Sequence, residues 1–282
     1  VTSQGSTWPA SSGSGRQSRQ AERQQEITDV VIAEGTVRID DLAERFGISA
    51  MTVHRDLDEL EARGLLRKSR GMATAMSTSL IESSDVYRLA RQNQEKEEVA
   101  RAALDYIEPG QAIFLDDSTT VLRLAQHLHR KTPLTVITNV LTHLNGLNGV
   151  RDISLIALGG DYHNWCSAFM GRMTLEAIAR LRADTFIMST AAITDDMCFH
   201  QSPETVDVKR AMFESSKRRI LLVDHTKFER RALHALVRLE EYDLVVVDSK
   251  TDEAHISRME AQGINVLVAP RAGHTERRRS ED

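Results

Sequence analysis

The chain has 282 residues, 41% hydrophobic and 27% charged, with a formal net charge of -5. That length suits two domains of ordinary globular composition and excludes a fibrous or wholly disordered protein. The negative balance gives no global positive field, so a nucleic-acid partner needs a locally basic surface. The two cysteines, Cys166 and Cys198, do not make a disulfide framework and point to a reducing compartment. The N-terminal stretch holds no apolar core of signal-peptide length, and no apolar run approaches the ~18 residues that span a bilayer. The expectation is a cytoplasmic protein with no membrane partner.

Residues 1–18 are rich in Ser, Gly and Gln and read as a disordered tail, because they bury too little apolar surface to offset their ordering entropy. Residues 271–282 read the same way. Between 19 and 75 the pattern is helical. A first helix carries Ile27, Val30, Val31 and Ile32 on its apolar face and breaks at Gly35. IDDLAERF makes a second, with Ile39, Leu42, Ala43 and Phe46 on one face, Asp40 and Asp41 at its positive end, and Gly47 as C-terminal cap. Ser49 caps a third, AMTVHRDLDELEAR, with Val53, Leu57 and Leu60 inward and Gly64 as its stop. LLRKSRGMATAM follows, alternating loosely.

Residues 76–94 form a polar linker. From 95 to 270 short apolar strands (QAIFLD, LTVITN, ISLIALGG, DTFIMST, RILLVD, YDLVVVD, INVLVAP) alternate with amphipathic helices. The fold class is α/β, with a mostly parallel sheet covered by helices.

The second helix, the GIS turn and the third helix have helix-turn-helix spacing, which places the third helix in the major groove of double-stranded operator DNA. Its outward N-terminal residues are Ser49, Met51, Thr52, His54 and Arg55. Arg55 can bond guanine O6 and N7 with two donors, Thr52 suits phosphate or base, and Met51 suits a thymine methyl. Arg67, Lys68 and Arg70 would form a basic wing over phosphates. The plainer alternative is a three-helix bundle with solvated charges, since Asp56, Asp58, Glu59 and Glu61 share the same helix. A third reading makes the helix-turn-helix a protein-docking module.

In the second domain Asp117, Ser118, Thr119 and Thr120 end a strand and open a helix, where amides and hydroxyls suit a phosphate. Thr138, Asn139, Gly159, Gly160, Asp224 and Lys227 also follow strands and should gather at that edge, where open α/β sheets bind ligands. Lys209 would add positive charge. Each motif alone also reads as a cap or turn. Two further constellations stay open. His163, Cys166, Cys198 and His200 are a chemically possible zinc set without the spacing of common zinc modules, or His163, Trp165 and Cys166 line the pocket. Asp116, Asp117, Glu204 and Lys209 could serve acid–base catalysis.

VRIDDLAERFGISAMTVHRDLDELEARGLLRKSRGMA resembles the N-terminal module of the DeoR family of bacterial regulators. Leu42, Ala43, Phe46, Ser49, Thr52, Arg55, Asp56, Leu57, Leu60, Glu61, Gly64, Leu66, Arg67, Gly71 and Ala73 fall in register with it. His54 stands where arginine is usual, and RGMA replaces HGGA at the wing tip. The resemblance continues to about residue 270 through FLDDSTT, Thr138–Asn139, Gly159–Gly160, Phe169–Gly171, Ala183–Phe186, Glu204 with Lys209, and VDHTKF. Ser118 replaces the family's glycine before Thr-Thr. The resemblance implies a winged helix-turn-helix followed by a sensor domain with the fold of ribose-5-phosphate isomerase and the CoA transferases. It also implies a repressor of carbohydrate genes, relieved by a phosphorylated sugar. No cofactor or metal is expected and catalysis is not. Two reading heads imply a homodimer or homotetramer.

Overall fold

Gln24, Ile27, Thr28 and Val31 recur at helical spacing and are all buried on helix α1 (Ser14–Glu34). The structure, a computed structural model, describes residues 14–62, 65–75, 88–89 and 91–271. The chain divides into two units, Val1–Ile81 and Glu82–Asp282. Helix α1 begins inside the stretch that composition marks as a tail. Glu59 accepts from Gln20 at 3.0 and 3.1 Å, and from that anchor Gln and Arg propagate a helix readily. Residues 1–13, 76–87 and 272–282, which hold the rest of both tails and most of the linker, lie outside the described residues, as does Gly64.

Strand β1 (Thr36–Arg38) follows, then α2 (Ile39–Phe46) and α3 (Ala50–Ala62). Gly47 ends α2 with φ of 62°, the left-handed conformation a glycine takes without Cβ strain, and Ile48 donates back to Ala43 at 3.1 Å. Ile39, Leu42, Val53, Leu57 and Leu60 close the core with Ile27 and Val31. Strands β2 (Leu66–Ser69) and β3 (Met72–Ala75) form the wing, and β1, a strand not expected from sequence, pairs with β3. Arg70 and Gly71 make the two-residue turn, both at positive φ, as a type I′ hairpin requires.

The second unit opens with α4 (Asn93–Leu104), β4 (Ala112–Leu115), α5 (Thr119–Ala125), β5 (Leu134–Thr138), α6 (Leu141–Leu147) and β6 (Ile153–Ala157). Then come β7 (Asp161–His163), β8 (Ala168–Met170), α7 (Arg172–Ala179), β9 (Ala183–Met188), β10 (Ala192–Thr194), β11 (Met197–His200) and α8 (Pro203–Glu214). The unit closes with β12 (Ser216–Val223), β13 (His234–Arg238), β14 (Leu244–Val247), α9 (Glu253–Ala261) and β15 (Val266–Val268).

Seven strands form one parallel sheet in the order β15-β14-β12-β9-β4-β5-β6. Alternate residues feed two cores. Phe114, Phe186, Leu221 and Val245 pack with α7, α8 and α9 on one face, while Ile113, Ile187, Ile220 and Leu244 pack with α4 and α5 on the other. Burial on both faces explains the near-continuous apolar runs in the sequence. Two smaller pieces escaped the sequence reading: the β7–β8 hairpin and an antiparallel sheet β10-β11-β13. Their strands are three to five residues long, too short for an alternation to stand out. Because every strand of the main sheet runs the same way, the residues after β4, β5, β6, β9, β12 and β14 share one edge.

Candidate functional site

Met51, His54, Arg55 and Asp58 are exposed and spaced i, i+3, i+4, i+7, so they form one outward stripe of α3. Met51, with 79% of its surface exposed, is an unusual apolar residue to leave in water. Ser49 caps the helix: its hydroxyl accepts from the Thr52 amide at 3.2 Å and lies 2.9 Å from the Thr52 hydroxyl. The acidic residues of α3 are engaged within the unit. Asp56 is fully buried and accepts from Arg23 at 2.6 and 3.1 Å and from Gln24 at 3.1 Å. Glu59 holds Gln20 and Gln24, and Glu61 accepts from the Lys68 amide at 3.0 Å. Asp58 pairs with the Lys68 ammonium. The expectation of solvated charges therefore fails for Asp56, and Lys68 is half-buried in an ion pair. Arg67 and Arg70 remain exposed on the wing.

At the sheet edge Asp116, Asp117, Ser118, Thr119 and Thr120 are all buried. Asp116 accepts from the Ser118 amide at 3.0 Å, the Ser189 amide at 2.9 Å and Lys209 at 2.5 Å. Lys209 also meets Asp117 Oδ1 at 2.9 Å and the Ser189 carbonyl at 3.1 Å. Three acceptors match the three protons of an ammonium, so Lys209 is saturated. It fixes the loop after β4 against Ser189 while also lining the cavity beside it. Burial alone would lower the Lys209 ammonium, but Asp116 and Asp117 outweigh it and hold it above its ordinary value. Burial likewise pushes the Asp117 carboxyl up, yet Lys209, Arg88 and His200 hold it well below the usual carboxylate range.

Ser118, Thr119 and Thr120 line a small cavity with Arg88, Ser189, Thr190, His200, Lys209 and Lys227. Ser118, the departure from glycine, caps α5 by accepting from the Val121 amide at 3.2 Å. Arg88 approaches Asp117 Oδ2 at 3.8 Å and its carbonyl at 3.5 Å. Lys227 lies 3.7 Å from Asp224 Oδ2. Asp224 caps the turn after β12 through the Thr226 amide at 3.1 Å, so it orients Lys227 from behind the cavity. Behind them Lys96 is buried, and burial with neighbouring Lys227 lowers its ammonium to about 7. His200 is buried, and burial followed by the nearby Lys209 charge lowers it to about 3. Its Nδ1 accepts from the Ser202 amide at 3.2 Å, as a neutral imidazole can.

The other expected residues do not line the cavity. Thr138 donates to the Leu115 carbonyl at 3.0 Å and stitches β5 to β4. Asn139 donates to the Phe169 carbonyl at 2.7 Å and ties β5 to β8. The Gly159 carbonyl accepts from Thr174 at 2.8 Å, and a Cβ on Gly160 would sit 2.4 Å from the Met170 carbonyl oxygen. This glycine pair lets the end of β6 pass close under β8 and α7. Glu204 is exposed at the start of α8, where Ser202 donates to it at 2.8 Å. His163 and Trp165 stack edge to face on the β7–β8 hairpin, and Cys166 is buried beside them. Burial pushes the Cys198 thiol up to about 12. Among the described residues no three His, Cys, Asp or Glu side chains are grouped to hold a metal ion.

Arg88, Lys96, Ser189 and Thr190 were not anticipated, and His200 entered only as a member of a possible zinc set. Ser189 and Thr190 follow β9, so the rule that singled out the other strand ends would have found them. Arg88 sits in the stretch read as linker and gives no periodic signal.

A winged helix-turn-helix joined to a parallel α/β domain with a cationic, hydroxyl-lined cavity at its strand ends defines a DNA-binding regulator with a ligand-sensing domain. The family model for the DeoR-like helix-turn-helix domain matches residues 23–79, and that for the DeoR C terminal sensor domain matches 91–249. The chain belongs to the DeoR family of transcription regulators. It is 32% identical to the transcriptional repressor AccR of Agrobacterium fabrum over 82% of this chain and 90% of that one. Identity to the glycerol-3-phosphate regulon repressor of Escherichia coli is also 32%, over 82% and 92%. For the lactose phosphotransferase system repressor of Lactococcus lactis it is 30%, over 88% and 98%. Ribose 5-phosphate isomerase A of Methanocaldococcus jannaschii aligns with a TM-score of 0.34 at 14% identity, over 47% of this chain and 53% of that one. The chain is thus a regulator, and the acid–base reading of its carboxylates gives way to sensing. Among the described residues no helix is long and apolar enough to cross a membrane.

Proposed function

We propose that this protein represses carbohydrate-utilisation genes in the cytoplasm and releases its operator when the phosphate of a sugar binds against the cationic, hydroxyl-bearing residues at the ends of β4, β9 and β12. The observation that carries this reading is the cavity wall: Arg88 and Lys227 face the hydroxyls of Ser118, Thr119 and Thr120, all buried or nearly so. Positive charge withdrawn from water and flanked by hydroxyl donors suits a multiply charged oxyanion with few competing neutral ligands. Two of the relatives are repressors named for glycerol-3-phosphate and for a lactose phosphotransferase system, which fits a phosphorylated carbohydrate.

Operator contact falls to Met51, His54 and Arg55 on the stripe of α3, with Ser49 and Thr52 at its entry and Arg67 and Arg70 on the wing. Residues 19–75 act as the reading head and 95–270 as the sensor. Two heads of a dimer or tetramer supply the contacts one small head lacks. A thermal-shift screen of the full chain against phosphorylated sugars tests the reading. A specific ligand stabilises the folded state by RT ln(1 + [L]/Kd), about 2.7 kcal/mol at a hundredfold excess over Kd. A panel in which the free sugars stabilise as well as their phosphates would refute it.

A further inference from the structure

Two residues of the cavity wall, Thr190 and His200, are buried side chains without charge. Thr190 follows β9 and His200 ends β11. A single carbonyl links the two segments. The Phe199 carbonyl, next to His200, accepts from the Thr190 hydroxyl at 2.8 Å and from the Ala191 amide at 3.2 Å. The loop after β9 is thereby held against β11.

What each side chain can offer a ligand follows from the bonds it already makes. The His200 ring is neutral, because burial and the nearby Lys209 charge oppose its protonation. A neutral imidazole has one acceptor and one donor. Its Nδ1 accepts from the Ser202 amide at 3.2 Å, so the proton sits on Nε2 and the ring's remaining capacity is to donate. Thr190 is the converse. Its one proton goes to a carbonyl, that of Phe199 at 2.8 Å in preference to that of Ala192 at 3.3 Å. The hydroxyl oxygen keeps two lone pairs, and the protonated Cys198 thiol nearby can occupy one of them. Its remaining capacity is to accept. A neutral donor beside an acceptor is a poor host for an oxyanion, which the lone pair repels and the uncharged ring does not balance. It matches a hydroxyl group, which gives one proton and takes one.

We propose that Thr190 and His200 are the residues that read a carbohydrate hydroxyl of the ligand, which donates to Thr190 Oγ1 and accepts from His200 Nε2–H. The phosphate lies against Ser118, Thr119, Thr120 and Lys227. The charged residues thus select for phosphorylation, and the neutral pair selects which carbohydrate carries it. A compound without a hydroxyl at that position leaves a buried donor and a buried acceptor unpaired, the means by which a hydroxyl-binding site rejects its analogues. The inference rests on the phosphate reading of the other cavity residues.

The test uses calorimetry on the full chain, with inorganic phosphate, glycerol 3-phosphate, ribose 5-phosphate and glucose 6-phosphate as probes. At least one organic phosphate should bind the wild type about tenfold more tightly than inorganic phosphate does. Thr190→Val and, separately, His200→Leu should remove most of that preference while leaving the affinity for inorganic phosphate near that of the wild type. His200→Gln keeps an N–H donor and an acceptor for the Ser202 amide, so it should retain most of the preference, a rescue that loss of packing alone does not give. Should one variant fail to fold, the other carries the test. Preference intact in Thr190→Val and His200→Leu overturns the inference and leaves the phosphate site standing. So does a wild type that binds inorganic phosphate as tightly as every organic phosphate. Variants that lose inorganic phosphate as steeply as the organic ones also overturn it, because the pair then holds the phosphate itself. A wild type that binds none of the probes overturns the phosphate site and the inference with it.

Discussion

Arg55 stands one helical turn beyond Met51 on a stripe that faces away from the core, and its fork geometry matches guanine. Arg55→Ala should cost about 1–3 kcal/mol of operator binding and relax preference at one base pair. A binding-site selection that returns the unchanged motif would contradict this role. Arg67→Ala should weaken all sequences alike and reduce the salt slope by about one. Lys68→Ala should do less, because its charge is already paired with Asp58. In the sensor, Lys209→Met removes the cation between two buried carboxylates and should destabilise that unit by about 3–5 kcal/mol in urea unfolding. His200 sets a pH dependence. Its folded value near 3 lies below the ordinary 6.5, so the unfolded chain binds the extra proton. Stability is therefore full above about pH 6.5 and falls as pH drops toward 3, by an amount on the order of a few kcal/mol. His200→Gln should flatten the slope in that window, and an unchanged slope would place the titration elsewhere.

Helices with a repeating apolar face, and strands buried on both faces, were readable because their patterns repeat within one segment. The second helix of the reading head was delimited to the residue. Strand ends were readable too, and so was the edge that gathers Asp117, Ser118, Thr119, Thr120, Asp224 and Lys227. Less readable was what each residue does there, since partners come from distant segments. Lys209 reads as a cation at the strand edge, but its bonds to Asp116, Asp117 and Ser189 are invisible in sequence. Gly159–Gly160 reads as part of the ligand edge or as a turn, and only the fold brings Thr174 and Met170 against it. Gly160→Ala should accordingly impair folding of the sensor, lowering its melting temperature before any effect on ligand selectivity appears. Asp56 shows the same point in the reading head. A carboxylate on a helix that approaches DNA looks unfavourable in sequence, but it is buried and bound to Arg23 and Gln24 of α1. Asp56→Ala should destabilise the reading head by about 2–3 kcal/mol, whereas Asp58→Ala, at an exposed pair, should change it by less than about 1. Equal effects in thermal melts would contradict the placement.

For the whole molecule, sensing requires that a ligand distinguish the DNA-bound from the free protein, because equal affinity for both shifts nothing. Coupling is reciprocal, so operator DNA should weaken effector binding by the same factor by which effector weakens operator binding. The protein should also bind as a dimer or tetramer on half-sites separated by about 10 base pairs or a multiple. Footprinting of one isolated half-site by a monomer would contradict that. The most direct measurement of the central claim is fluorescence anisotropy on a labelled operator, titrated with phosphorylated sugars, for the wild type and for Thr119→Asp. The substitution places a negative charge among the buried hydroxyls of the cavity, far in sequence from the reading head. The expected result is release of DNA from the wild type by one sugar phosphate, with Thr119→Asp still binding the operator and failing to respond. A Thr119→Asp protein that releases DNA at the same sugar-phosphate concentration as the wild type would contradict it.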